Sequence, residues 1–300
     1  MVNACLVSMT GFATRRGEGE GFGWTWDVRS VNGKGFDLRL RLPDWIDGLE
    51  PAVRAAVAKV AGRGNITLTL KLARDTGSEA LRVNAAGLDA VLTALTTVRA
   101  RAEAAGLELA TPSTAEILAL RGVTDQGGDT EETGPLLKAL LNDLTPLLSD
   151  FAAMRAAEGR ALGEVISGQI ARIETLTTEA KAAADARRPE MERTLRENLA
   201  QVLAGAAEAD PARVAQELAL LAVKADVTEE LDRLSAHIDA ARELLAEPGA
   251  VGRKLDFLMQ EFMREANTLC SKSGNAVLTR IGLDLKTVID QMREQVQNVE

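Results

Sequence analysis

Two short stretches near the end of the 300-residue chain concentrate the side chains that do acid–base and metal chemistry. In "ADVTEELDRLSAH" (225–237), Asp226, Glu230, Arg233 and His237 stand at i, i+4, i+7 and i+11. At about 100° per residue these four fall within roughly 60° of one helix face. Leu231, Leu234 and Ile238 lie toward the other side, where a core would be. A carboxylate, a guanidinium and an imidazole in one row could hold a metal or move a proton. The same spacing also describes a solvated stripe of i,i+3 and i,i+4 pairs, Glu230 with Arg233 among them.

The second stretch is "GRKLDFLMQEFMREANTLCSKS" (252–273). Leu255, Leu258, Met259, Phe262, Ala266, Leu269 and Cys270 cover an apolar arc of roughly 120° on a helical wheel. Glu261, Arg264, Glu265, Thr268 and Lys272 gather in another arc of roughly 100°, with Gln260 and Asn267 at its margins. Interleaved amides, carboxylates and Arg suit a hydrogen-bonded network or a metal site, although the wet side of a core helix is an equal reading of the spacing. Two such helices in one bundle would bring Glu230 and His237 opposite Glu261 and Glu265.

A third cluster is basic. In "RSVNGKGFDLRLRLP", Arg29, Lys34, Arg39 and Arg41 fall on the wet side of strands or in the adjoining turn, with Arg63 and Lys71 as neighbours. Such a face suits a phosphate backbone, which cations neutralise without reading bases. A solvated sheet face paired with Asp27 and Asp37 is the plainer alternative. The glycines of "NGKG" make a turn, not a nucleotide fingerprint.

Composition narrows the chemistry. With 44 acidic residues against 35 basic ones the net charge is −9, so a nucleic-acid partner would need a local basic surface. A single histidine excludes a two-histidine acid–base pair within one subunit, which leaves carboxylates, or a carboxylate-held metal. Cys5 and Cys270 lack the grouping of a zinc site and read as small buried hydrophobes. Neither a long uncharged apolar run nor a leader pattern is visible, so the expected compartment is the cytoplasm, away from membranes.

The elements that must position these groups divide into two kinds. "WTWDVRS", "DLRLRL" and "NITLTLKL" alternate apolar and polar residues, the mark of strands with one wet face. A helix within "DWIDGLEPAVRAAVAKVAGRG" separates the last two. A further strand near "EALRVN" leads into a helix at 85–105. "TDQGGDTEETGP" (124–135) reads as a loop or hinge. Beyond it the pattern is helical: one or two long helices over 136–188, one from "DPARVAQELALL", and three near 228–246, 253–271 and 275–296. The expected fold class is α+β. An N-terminal antiparallel-sheet domain with helices spans 1–125, a linker and long helical arm 126–210, and a C-terminal helical domain 211–300.

These motifs together resemble the YicC/YloC family of bacterial endoribonucleases. "SMTGFA" (8–13), "VRSVNGKGFDLRLRLP" (28–43) and "GRGN" are similar to that family's N-terminal half; the two polar helices are similar to its C-terminal half. Ala236 and Cys270 depart from the residues usual there, Ser and Gly. The resemblance implies a metal-dependent endoribonuclease using Mn2+ or Mg2+, assembled as a homo-oligomeric ring, a hexamer, with RNA taken into its cavity. Carried over onto this chain, Glu230, His237, Glu261, Arg264 and Glu265 are the expected catalytic residues. Glu230, His237, Glu261 and Glu265 are the expected metal ligands. Arg29, Lys34, Arg39, Arg41, Arg63, Lys254 and Lys272 are the expected RNA contacts. A non-catalytic RNA-binding scaffold that delivers transcripts to another nuclease is the competing reading.

Overall fold

The computed structural model describes residues 6–74, 82–125, 133–205 and 211–300. The expected α+β class is what it shows: a four-stranded sheet with helices, followed by a mostly helical region. Strands β1 (Gly11–Gly19), β2 (Phe22–Val31), β3 (Phe36–Arg41) and β4 (Gly64–Arg74) are arranged in the order β1-β2-β4-β3. The sheet is not antiparallel throughout, because β3 runs parallel to β4. Helix α1 (Leu49–Ala58) explains this: it carries the chain across one face and returns it to the same end, as a parallel pair requires.

Strand β1 carries little alternation in "GFATRRGEG", and only Ala13 is buried along it. It forms because a two-residue turn joins it to β2. Glu20 (φ 53°) and Gly21 (φ 75°) both take the left-handed conformation, which matches the strand twist of a tight hairpin. Trp24, Trp26, Val28, Ile66, Leu68 and Leu70 then turn one sheet face inward against α1. The first part of α4 (Thr133–Gly205) closes the same core through Leu140, Leu144, Leu147 and Phe151.

Between these elements lie β5 (Arg82–Val83), α2 (Ala85–Ala104), α3 (Thr114–Leu118) and β6 (Thr124–Asp125). The strand expected at "EALRVN" is thus the two-residue β5 within the described residues. Of the expected 124–135 loop, residues 124–125 pair with β5 and 133 onward is helical; 126–132 lie outside the described residues.

Helix α4 is 73 residues long and contains Pro146 and Pro189. An internal proline removes a backbone donor and costs about 3 kcal/mol. Burial offsets that cost, since α4 serves two cores: the sheet core above, and a second through Leu162, Ile166, Ile170, Ile173 and Leu176. Helices α5 (Pro211–Lys224), α6 (Thr228–Ala246), α7 (Gly252–Lys272) and α8 (Ala276–Val296) follow. Helices α6 and α8 pack on α4, and α7 packs against α6 and α8, around Leu234, Ile238, Met259, Phe262, Leu285 and Ile289.

The last residues return to the segment just ahead of β1. Met9 N donates to Asn298 O (2.7 Å), Glu300 N donates to Val7 O (2.9 Å), and Ser8 bridges Val299. Arg155 of α4, wholly buried, donates to Ser8 O (2.7 Å), Val60 O (3.3 Å) and the Glu300 carboxylate. Among the described residues, no helix is long and apolar enough to cross a membrane.

Candidate metal centre between two helices

Helices α6 and α7 lie side by side with their polar arcs facing, and pairs across the seam show that they run in opposite directions. Lys272 Nζ donates to Glu230 Oε1 (2.8 Å), Arg233 Nη1 donates to Glu265 Oε1 (3.3 Å), and His237 meets Glu261 and Glu265. As the residue number rises on α6 it falls on α7. The apolar arcs hold this register, with Leu234 and Ile238 on one helix and Phe262, Ala266 and Leu269 on the other wholly or nearly buried.

The centre of the seam is the His237, Glu261, Glu265 cluster. One ligand atom from each lies within 4.8 Å of the others, the spacing of groups that share a cation. Glu265 is 2% exposed, while His237 and Glu261 are half-buried. His237 packs edge-on against Phe262, with ring centroids 5.6 Å apart. Its Nε2 is buried without a hydrogen-bond partner among the described residues. A nitrogen left so, beside two carboxylates, fits a cation, since these ligand types are right for a divalent ion.

Glu230 does not join this cluster. Its side chain is 5% exposed, Oε1 accepts from Lys272, and Oε2 has no partner among the described residues. That bond is the main reason the Lys272 ammonium holds its proton above the ordinary lysine range. Asp226 leaves the expected row as well. It sits ahead of α6, where its carboxylate accepts from Thr228 Oγ1 (2.7 Å) and Thr228 N (3.0 Å). The expected Glu230–Arg233 pair is replaced: Arg233 bonds Glu229 and Glu265, and so orients one carboxylate of the cluster. Spacing placed Arg233 on this face, but only the packing of α7 shows its partner.

Arg264 is 67% exposed beside Glu261 (3.7 Å), so its guanidinium faces solvent at the edge of the cluster. Lys254 pairs with Glu247, far along α7 from Lys272. Cys270 is half-buried, not buried, and its sulfur lies against Gly282 of α8. Burial raises its thiol above the ordinary range. Cys5 lies outside the described residues.

The basic cluster is gathered on the opposite sheet face from the core. Asp27, Arg29, Asp37, Arg39, Arg41 and Lys71 line a trough there of about 630 Å3. Both readings of this face keep support, because Arg39 Nε bonds Asp37 (3.3 Å) while Arg29 and Arg41 are exposed. Lys34 is exposed in the turn; Arg63 donates to Gly33 O (3.1 Å) and braces that turn.

Fold and site define a class: an α+β protein whose C-terminal bundle builds a His/Glu cluster able to hold a cation. Two family descriptions match the chain, "Endoribonuclease YicC-like, N-terminal region" over 6–164 and "Endoribonuclease YicC-like, C-terminal" over 180–300. The chain belongs to this YicC-like family. It is 36% identical over 297 residues to a probable endoribonuclease YicC of Haemophilus influenzae, covering 98% of this chain and 100% of that one. A second relative, a probable endoribonuclease YicC of Clostridioides difficile, is 28% identical over 98% of this chain and 99% of its own length.

Proposed function

We propose that the chain is a metal-dependent endoribonuclease that hydrolyses RNA phosphodiester bonds at the α6–α7 seam. The convergence of His237, Glu261 and Glu265 carries the reading, with family membership and the names of the relatives in support. These three residues hold the ion. Two carboxylates and an imidazole suit Mn2+ better than Mg2+, which favours all-oxygen shells. A bound divalent ion supplies Lewis acidity toward a phosphoryl oxygen.

The protein's own groups do the rest. Arg233 keeps Glu265 turned into the cluster. Arg264 beside the cluster and the part-exposed Lys272 further along the same seam supply positive charge, which offsets the phosphate's charge on approach. Arg29, Arg39 and Arg41 on the sheet face hold the RNA strand away from the cut. The reading includes a homo-oligomer, a hexamer by family resemblance, with RNA in its cavity, the first 125 residues building the ring, and a cytoplasmic location.

The test is cleavage of a short 5′-labelled RNA by the purified chain with added Mn2+ or Mg2+, and with chelator. Ion-dependent cutting that E261Q abolishes, with RNA binding and assembly intact, is the expected result. Full activity in E261Q or in chelator would remove the metal centre. Binding without cutting under any ion would establish the scaffold instead.

A further inference from the structure

Arg187 belongs to none of the constellations visible in the sequence, yet its guanidinium is buried, with 8% of the residue exposed. Reaching out from α4, Nη1 donates to Lys272 O (3.2 Å) and to Ser273 O, and Nη2 donates to Ala225 O (2.6 Å). Lys272 and Ser273 form the C-terminal end of α7, where the last carbonyls lack an intrahelical donor and the helix dipole is negative. Ala225 stands just ahead of α6. One cation therefore pins the finish of α7 to the start of α6.

Closing a helix end does not require this. Ser273 Oγ already donates to Cys270 O (2.9 Å), and burying a charged head group costs solvation. What the guanidinium adds is a fixed distance between two backbones. The tied segments lead into the first rung of the seam, formed by Lys272 itself and by Glu230 in the first turn of α6. Lys272 is thus held twice, by its carbonyl to Arg187 and by its ammonium to Glu230.

We propose that Arg187 is a positioning residue for RNA binding: it fixes the backbone of Lys272, so that the ammonium meets phosphate from one place. The inference rests on the reading of Lys272 as an RNA contact. Without Arg187, the backbone of Lys272 loses its tie to the segment ahead of α6 and the ammonium is no longer presented from one place, weakening binding without any change in charge at residue 272.

The experiment is a double-mutant cycle on the full chain, read as the affinity for a fluorescent single-stranded RNA in chelator, where nothing is cut. R187M and K272M should each weaken binding roughly three- to tenfold. The double variant should bind no worse than K272M, because Arg187 acts through Lys272. R187K should fall between wild type and R187M. Wild-type affinity in R187M, or a loss that adds in full to that of K272M, would overturn the proposal. K272M binding as wild type would remove Lys272 from the RNA surface, and the inference with it, while leaving the metal reading to its own test. If R187M does not fold, R187K decides: its loss must vanish in the K272M background.

Discussion

Lys272 Nζ donates to Glu230 Oε1 across 2.8 Å and ties the last turn of α7 to the first turn of α6. The Glu230 side chain is 5% exposed and that of Lys272 29%, so the pair is half inside the bundle. Removing the lysine strands a buried carboxylate. K272M should cost about 2 kcal/mol, read from the urea midpoint, because an unpaired buried charge loses its compensation. Replacing both partners with apolar groups, as E230L/K272M, should recover most of that loss. A double variant less stable than K272M would contradict this account.

Arg155 makes a second buried junction, between the sheet, α4 and the end of the chain. Its guanidinium is wholly buried and the Glu300 side chain 14% exposed. R155M takes this donor from the Ser8 and Val60 carbonyls and leaves the Glu300 carboxylate with the Gly62 N–H alone. The expected destabilisation is about 3 kcal/mol in urea unfolding, with E300Q smaller because the amide can still accept a hydrogen bond.

Gly282 lets α8 approach α7 at the sulfur of Cys270. A Cβ at position 282 would lie 2.6 Å from Cys270 Sγ, inside van der Waals contact. G282A should cost about 1–3 kcal/mol by overpacking. C270A, which removes the sulfur, should restore most of the thermal midpoint in the double variant.

The start of α6 carries a pH dependence. The Thr228 hydroxyl, and after it the Thr228 N–H, hold the Asp226 carboxyl below the ordinary aspartate range. A lowered folded value means that its contribution is full above the unfolded value of about 3.9 and is lost as pH falls through the folded one. The stability difference between wild type and D226N should therefore be constant near neutrality and shrink below about pH 4. Urea unfolding across that range measures it, and a difference that grows on acidification would refute the assignment.

If the sheet trough holds RNA, its cations should set the salt dependence of binding. Each phosphate contact to a single strand contributes a slope of about −0.7 in log affinity against log salt. R29A/R39A/R41A should flatten the slope by about 2 if all three contact phosphate, and an unchanged slope would assign the face to solvent.

Much of the site was legible because helical periodicity is a strong signal. The polar arcs of α6 and α7 follow from 3.6 residues per turn, and the facing of His237 with Glu261 and Glu265 follows once two apolar arcs share a core. Strand β1 was not legible, since "GFATRRGEG" lacks a periodic apolar set and its strand form depends on the hairpin with β2. The parallel placement of β3 was hidden for a related reason: alternation reports which side chains share a face, and says nothing of the neighbour or its direction.

By itself the sequence determined composition, the type of the periodic elements, the residues that share each helix face and the family of the chain, because these depend on local spacing and motif. Tertiary structure decided the pairings. Glu230 went to Lys272 and not to the cluster, Arg233 to Glu229 and Glu265, and Arg187 to the carbonyls that close α7. A wheel gives a side chain its direction; only the packed position of a second helix gives it a partner at bonding distance.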